Sequence, residues 1–154
     1  MGIRMRLRDL LDEAAVKVGL ESVDKEECFE EMIDIVVRAG RVTDRAATLR
    51  VIQERENLAT TGIGEGVAVP HGKLASIPEL TAALGTSADG IEFDSVDGKP
   101  VHLVVLLLAS ADKPGQHILA LAEISRLVKT PGFLRKAIDA KTPTEFLDML
   151  DAEE

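Results

Sequence analysis

Tryptophan and tyrosine are absent from this 154-residue chain, and four phenylalanines are its only aromatic side chains other than histidine. Any core must therefore be filled by Leu, Val, Ile and Ala. Cysteine is nearly absent as well. With Cys28 alone, no intramolecular disulfide and no cysteine-rich four-ligand zinc site can form. Its neighbours Phe29, Met32 and Ile33 recur at helical spacing, which reads as a buried structural thiol. Long apolar runs are missing too. The longest, Leu103 to Ala109, is far too short to span a bilayer, so no membrane insertion is expected. The opening Met1-Gly2-Ile3-Arg4-Met5-Arg6 lacks the apolar stretch of a secretory signal, and Arg6 stands where a myristoylation signal carries Ser or Thr. The expectation is a cytoplasmic protein. Basic charge is in deficit, with 18 Lys and Arg against 27 Asp and Glu, a formal net charge of −9. That argues against nucleic acid as a partner, because duplex binding draws its affinity from neutralising phosphates. It argues equally against an anionic membrane surface. No grouping of His, Cys and carboxylates suggests a metal, and neither metal nor cofactor is expected.

What is present describes an ordinary globular chain: 45% apolar and 29% charged residues, enough to build a core without a staple. No repeat, linker or low-complexity segment divides it, so residues 1–154 read as one domain. Leu7, Leu10 and Leu11 suggest a short helical turn, and residues 15–20 a short strand. Asp24 with Glu27 three residues on is an N-cap signature, followed by an apolar helical stripe that stops at Gly40. A second helix is predicted from Asp44 to about Asn57, with Ala46, Leu49 and Ile52 inward. Three glycines at alternate positions, Gly62, Gly64 and Gly66, predict a loop. Strands are predicted at 67–69, 82–87 and 91–93, with a two-residue hairpin at Asp97-Gly98. The nearly continuous apolar run at 101–109 predicts a central strand covered on both faces. Helices follow at 117–129, with Ile118, Leu121, Ala122, Ile124, Leu127 and Val128 as its apolar set, and at 133–140. A last helix starts at Thr142-Pro143-Thr144-Glu145, which combines an N-cap, Pro at N1 and Glu at N3. Helices, strands, then helices give a mixed sheet sandwiched by helices, an α/β or α+β fold.

The segment Gly66-Val67-Ala68-Val69-Pro70-His71-Gly72 concentrates the chemistry. Proline fixes its own torsion and holds Val69 extended, so His71 is set rigidly at the end of a buried strand, before a turn. The small residues Ala68 and Gly72 leave room for a partner to approach. Neutral imidazole is a good nucleophile near pH 7, and a phosphorylated imidazole is a good donor. On spacing alone, a loop histidine is usually just a polar surface residue. His102, at the start of the apolar strand, reads as structural.

The stretch from Arg55 to Lys73 resembles the phosphorylation-site signature of the fructose/mannitol class of phosphotransferase-system enzyme IIA domains, nearest to their nitrogen-regulatory subgroup. Glu56, Ile63, Gly64, Val67, Ala68, Val69, Pro70, His71 and Gly72 fill its required positions. The resemblance implies the type-2 enzyme IIA fold and makes His71 the residue that carries a phosphoryl group, on a ring nitrogen it leaves open. It implies that Arg55 contacts that group through its planar fork. It also implies that His117, at a helix start, hydrogen-bonds the phosphoryl group or orients His71. Thr60, Thr61, Gly62 and Gly64 are candidates to offer hydroxyl and amide donors to phosphate, or else are plain loop. Glu56 reads as a structural anchor or an arginine partner. The implied partners are a small histidine phosphocarrier and an enzyme IIB or a regulated target protein. Three functions remain open: a sugar-uptake relay, a nitrogen-type regulator, favoured by Pro-His-Gly-Lys-Leu, and an interaction module without chemistry.

Overall fold

A computed structural model of the chain describes residues 4–113 and 115–154. Strand β6, Val101–Ser110, accounts for its own composition. Leu103, Val105, Leu107 and Ala109 enter one core, while Val104, Leu106 and Leu108 enter another on the opposite face. Side chains alternate across a strand, so a strand buried on both faces must be apolar at every position. Around it the described residues form a mixed six-stranded sheet. Strand β6 pairs antiparallel with β5, Thr81–Ile91, and parallel with β3, Val67–Ala68, and β4, His71–Leu74. At the edges, β1, Val16–Val18, runs parallel to β5, and β2, Gly62–Gly64, runs antiparallel to β3.

Helices α1, Lys25–Arg38, and α2, Arg45–Leu58, cover one face; α3, Gln116–Lys129, α4, Phe133–Asp139, and α5, Pro143–Glu153, cover the other. This is the sandwich expected from the sequence. The predicted caps are in place. The Asp24 carboxylate accepts from the Glu27 amide at 2.9 Å, and the Thr142 hydroxyl accepts from the Glu145 amide at 3.1 Å. Two apolar stripes differ from expectation. Ala46 faces solvent, as do Ile118 and Ala122, because the buried face of α2 runs through Thr48, Ile52 and Glu56 and that of α3 through Ala120, Ile124 and Leu127. No helix among the described residues is long and apolar enough to cross a membrane.

Four predicted features change. The strand expected at 82–87 runs on through Ile91 as β5, with a register shift between Thr86 and Ile91, and of the strand expected at 91–93 only Ile91 belongs to it, Glu92 making an isolated bridge to Asp24. Ser87 to Gly90, polar enough to suggest a break, form the irregularity: the Ser87 hydroxyl accepts from the Gly90 amide at 3.0 Å. Asp97-Gly98 is a turn within the longer 92–100 connection, closed by Gly98 N–H to the Ser95 carbonyl at 3.0 Å, and not a two-residue hairpin. The glycine-rich segment is itself a hairpin. Strands β2 and β3 meet at Glu65-Gly66, where φ is +57° and +80°, the positive signs a tight two-residue turn requires. His71 opens β4 and sits in register with Leu107, so the chain resumes a strand after Pro70 instead of turning.

Gly62 is dictated by proximity. A Cβ there would collide with Ser95 Oγ and lie 2.9 Å from Ser95 Cα and 3.0 Å from Phe93 Cδ1. Backbone cannot yield as a side-chain tip can. Gly62→Ala is therefore expected to destabilise the fold by about 1–3 kcal/mol in urea unfolding, the usual size of an overpacking penalty. A loss indistinguishable from zero would show that the 93–95 segment moves freely.

Candidate functional site

On α2, residues 51, 54, 55 and 58 lie three and four apart and so share one helical face. Val51, Glu54, Arg55 and Leu58 form one wall of a cavity of about 520 Å³. His71, Gly72 and Lys73 of β4 form another wall, and His117 from the first turn of α3 joins them. The structure thus brings His71, Arg55 and His117 around one space. Sequence reasoning missed Val51, Glu54, Leu58 and Lys73, though the i, i+3, i+4, i+7 spacing on α2 carried the signal.

His71 is half-buried. Its Nδ1 lies 2.9 Å from the Val69 carbonyl oxygen. A carbonyl only accepts, so Nδ1 carries the proton and Nε2 is left with the free lone pair. The His117 ring stacks beside it, centroids 6.1 Å apart and planes 23° apart. His117 Nδ1 is buried and has no hydrogen-bond partner among the described residues. One Arg55 nitrogen donates to the Ala59 carbonyl at 3.0 Å, which ties the guanidinium to the helix end and leaves its other donors available. Burial pushes His71 below the ordinary imidazole value, and the positive fields of Arg55 and His117 push it further. The Val69 hydrogen bond and the Glu56 charge act the other way without reversing the shift.

Thr60, Thr61, Gly62 and Gly64 do not line this cavity. The buried Glu56 carboxylate accepts from the Thr61 amide at 3.0 Å and from the Thr61 hydroxyl, and Lys25 pairs with it at 3.1 Å. Burial alone would lift the Glu56 carboxyl, but hydrogen bonds from Thr61, Thr60 and Lys25 outweigh it and hold the group below the usual carboxylate range. Glu56 is therefore an anchor joining α1, α2 and the hairpin, and its cation is Lys25, not an arginine. The Thr60 hydroxyl accepts from the Gly62 amide at 3.1 Å, and Gly64 lies beside Val96 and Asp97. The donors of Thr61 and Gly62 are thus engaged within the fold. Ala68 is fully buried in the core, so it leaves no room for a partner at the surface, and Gly72 abuts Val51. His102, like His71, bonds a carbonyl through Nδ1, that of Ser87 at 2.8 Å, and does not line the cavity. Among the described residues no three His, Cys, Asp or Glu side chains are grouped to hold a metal ion.

Known proteins share this fold. The family profile described as "Phosphoenolpyruvate-dependent sugar phosphotransferase system, EIIA 2" matches residues 9–153. A fructose-specific EIIA component of Haloferax volcanii is 37% identical over 126 residues, 82% of each chain. A nitrogen regulatory protein of Bradyrhizobium diazoefficiens is 34% identical over 134 residues, 86% of each. The chain spans 23% of the length of a third relative, the fructose-specific EIIABC component of Bacillus subtilis, to which it is 34% identical over 147 residues, 96% of this chain. Among solved structures, the nitrogen regulatory protein IIA-Ntr of Neisseria meningitidis superposes with a TM-score of 0.85 at 26% identity, covering 94% of this chain and 98% of that one. A match over nearly the whole sequence, on the fold that places His71 beside Arg55 and His117, settles the kinship: the chain belongs to the type-2 EIIA family, the phosphotransfer components of the phosphoenolpyruvate-dependent sugar phosphotransferase system.

Proposed function

We propose that His71 accepts a phosphoryl group on Nε2 from the phosphohistidine of a small phosphocarrier protein and passes it on. The observation that carries this is the bond from Nδ1 to the Val69 carbonyl, which leaves Nε2 as the nucleophile. In the transfer, the Nε2 lone pair attacks phosphorus in line as the donor's P–N bond breaks, and the donor imidazole leaves with the bonding pair. The His71 ring becomes cationic, and its Nδ1–H stays on the Val69 carbonyl, which stabilises that charge. Arg55 faces the phosphoryl oxygens with planar paired donors. His117, whose Nδ1 has no partner among the described residues, serves as a second donor at a helix N-terminus. With charge spread over the phosphoryl oxygens, alignment and preorganised donors supply most of the acceleration. The domain, taken as residues 1–154, acts in the cytoplasm without nucleic acid.

The downstream role we favour is that of a nitrogen-type regulator, whose phosphorylation state is read by bound target proteins. The fold similarity to IIA-Ntr, TM-score 0.85 against 0.77 for the mannitol IIA of Escherichia coli, supports it. The 37% identity to a fructose-specific component supports the second reading, delivery to an enzyme IIB for sugar uptake.

Incubation with phosphoenolpyruvate, enzyme I and the small phosphocarrier is expected to add one acid-labile phosphate, read by intact mass, and none to His71→Ala. An unmodified wild type, in a mixture that labels a known IIA domain, would sink the carrier role. Addition of an enzyme IIB then separates the two readings, because rapid discharge favours uptake.

The lowered affinity of His71 for protons has its own consequence. Its NMR titration is expected to have a midpoint below the ordinary imidazole value of about 6.5. Arg55→Ala removes a positive neighbour, so the midpoint must rise. Phosphoryl acceptance is retained above the folded midpoint and lost as pH falls through it. Stability follows the same sign: between the folded and unfolded values the unfolded state holds more protons, so stability rises with pH there and is lost as pH falls. A midpoint above that of a free histidine would contradict the burial and charge assigned to the site.

A further inference from the structure

We propose that Gly72 is a positioning residue: lacking a side chain, it lets α2 seat against β4 at the separation that brings Arg55 into the cavity of His71. Gly72 is not among the residues with positive φ, so its backbone does not require glycine. Space does. A Cβ at this position would lie 2.9 Å from Val51 Cγ2, 3.3 Å from Val51 Cβ and 3.5 Å from the Val51 carbonyl carbon. The 3.5 Å approach is ordinary contact, but Cγ2 and Cβ are too close; valine is stiff at χ1 and its Cβ is fixed to the helix backbone, so the helix itself must yield. Val51 and Arg55 are one helical turn apart on the same face, and both line the cavity. On the other side, Gly72 is held in the sheet by its register with Leu108 of β6. Pressure at Gly72 is thus transmitted along α2 to Arg55, while His71 stays anchored to Val69.

The kinetic half of this inference rests on His71 being the phosphoryl acceptor; the ring titration tests the geometry without that reading. Three variants decide it: Gly72→Ala, Val51→Ala and the double. Each is followed by the NMR titration of His71 and by the rate of phosphoryl acceptance from the phosphorylated small carrier. Gly72→Ala is expected to raise the His71 midpoint and to slow transfer by about tenfold to a hundredfold, the usual effect of displacing a catalytic group by a fraction of its reach. The double variant is expected to return both toward wild type. Slowed transfer with an unmoved titration and no rescue would instead assign Gly72 to clearance for the partner, and would overturn the proposal. If Gly72→Ala alone does not fold, the comparison is made in the Val51→Ala background. There the added Cβ is expected to leave both readouts unchanged, and a change in either overturns the proposal. Wild-type protein that accepts no phosphate would end the carrier reading, yet the titrations would still decide the role of Gly72.

Discussion

The Val69 carbonyl accepts a hydrogen bond from His71 Nδ1 at 2.9 Å, and because it has nothing to donate, the imidazole must keep its proton on that nitrogen. One bond thereby selects the tautomer, aims the ring and leaves the Nε2 lone pair free. The bond depends on backbone that cannot wander. Val69 is locked by its own amide donating to the Thr61 carbonyl at 2.9 Å, and the Pro70 carbonyl accepts from Leu107 at 3.0 Å. The segment that carries His71 is therefore tied to the hairpin on one side and to the central strand on the other.

Burial of β6 on both faces gives this tie its rigidity. Helices pack on each side of the sheet, and the rim where β4 emerges is where α2 and α3 each bring one residue to the ring. Glu56 fixes α2 from beneath by joining Lys25 and Thr61, so Arg55, its immediate neighbour in sequence, is presented by a helix that is anchored and not merely adjacent. A buried carboxylate is unfavourable unless its lone pairs are filled; here hydroxyl, amide and ammonium donors fill them. The same donors hold it ionised, and its negative charge partly offsets Arg55 at the ring.

Much of this was legible from the residues. Asp24, Thr142 and the proline at 143 announced their helices because capping is local chemistry, and the apolar run at 101–109 announced a two-faced strand. His71, Arg55 and His117 were found through the motif and its family resemblance; spacing alone left each open. The hairpin at 62–68 was hidden because its turn carries Glu65-Gly66 in place of Asn-Gly, and Glu65 adopts a positive φ that a non-glycine residue seldom takes. The loop donors stayed open for a different reason. Their sequence says that Thr60 and Thr61 can donate, but only the fold says that a buried Glu56 already receives Thr61. The cavity wall on α2 was missed because Val51, Glu54 and Leu58 mix polarity, and an apolar stripe was the pattern sought.

The central claim is that phosphoryl transfer here is governed by the tautomer of a single ring. Long-range proton–nitrogen correlation spectra of nitrogen-15-labelled protein at pH above the His71 midpoint report it directly. The account predicts a protonated Nδ1 and a bare Nε2 on His71 in the free protein, with the phosphoryl group appearing on Nε2 after transfer. A proton on Nε2 in the free protein, or phosphate on Nδ1, would contradict it.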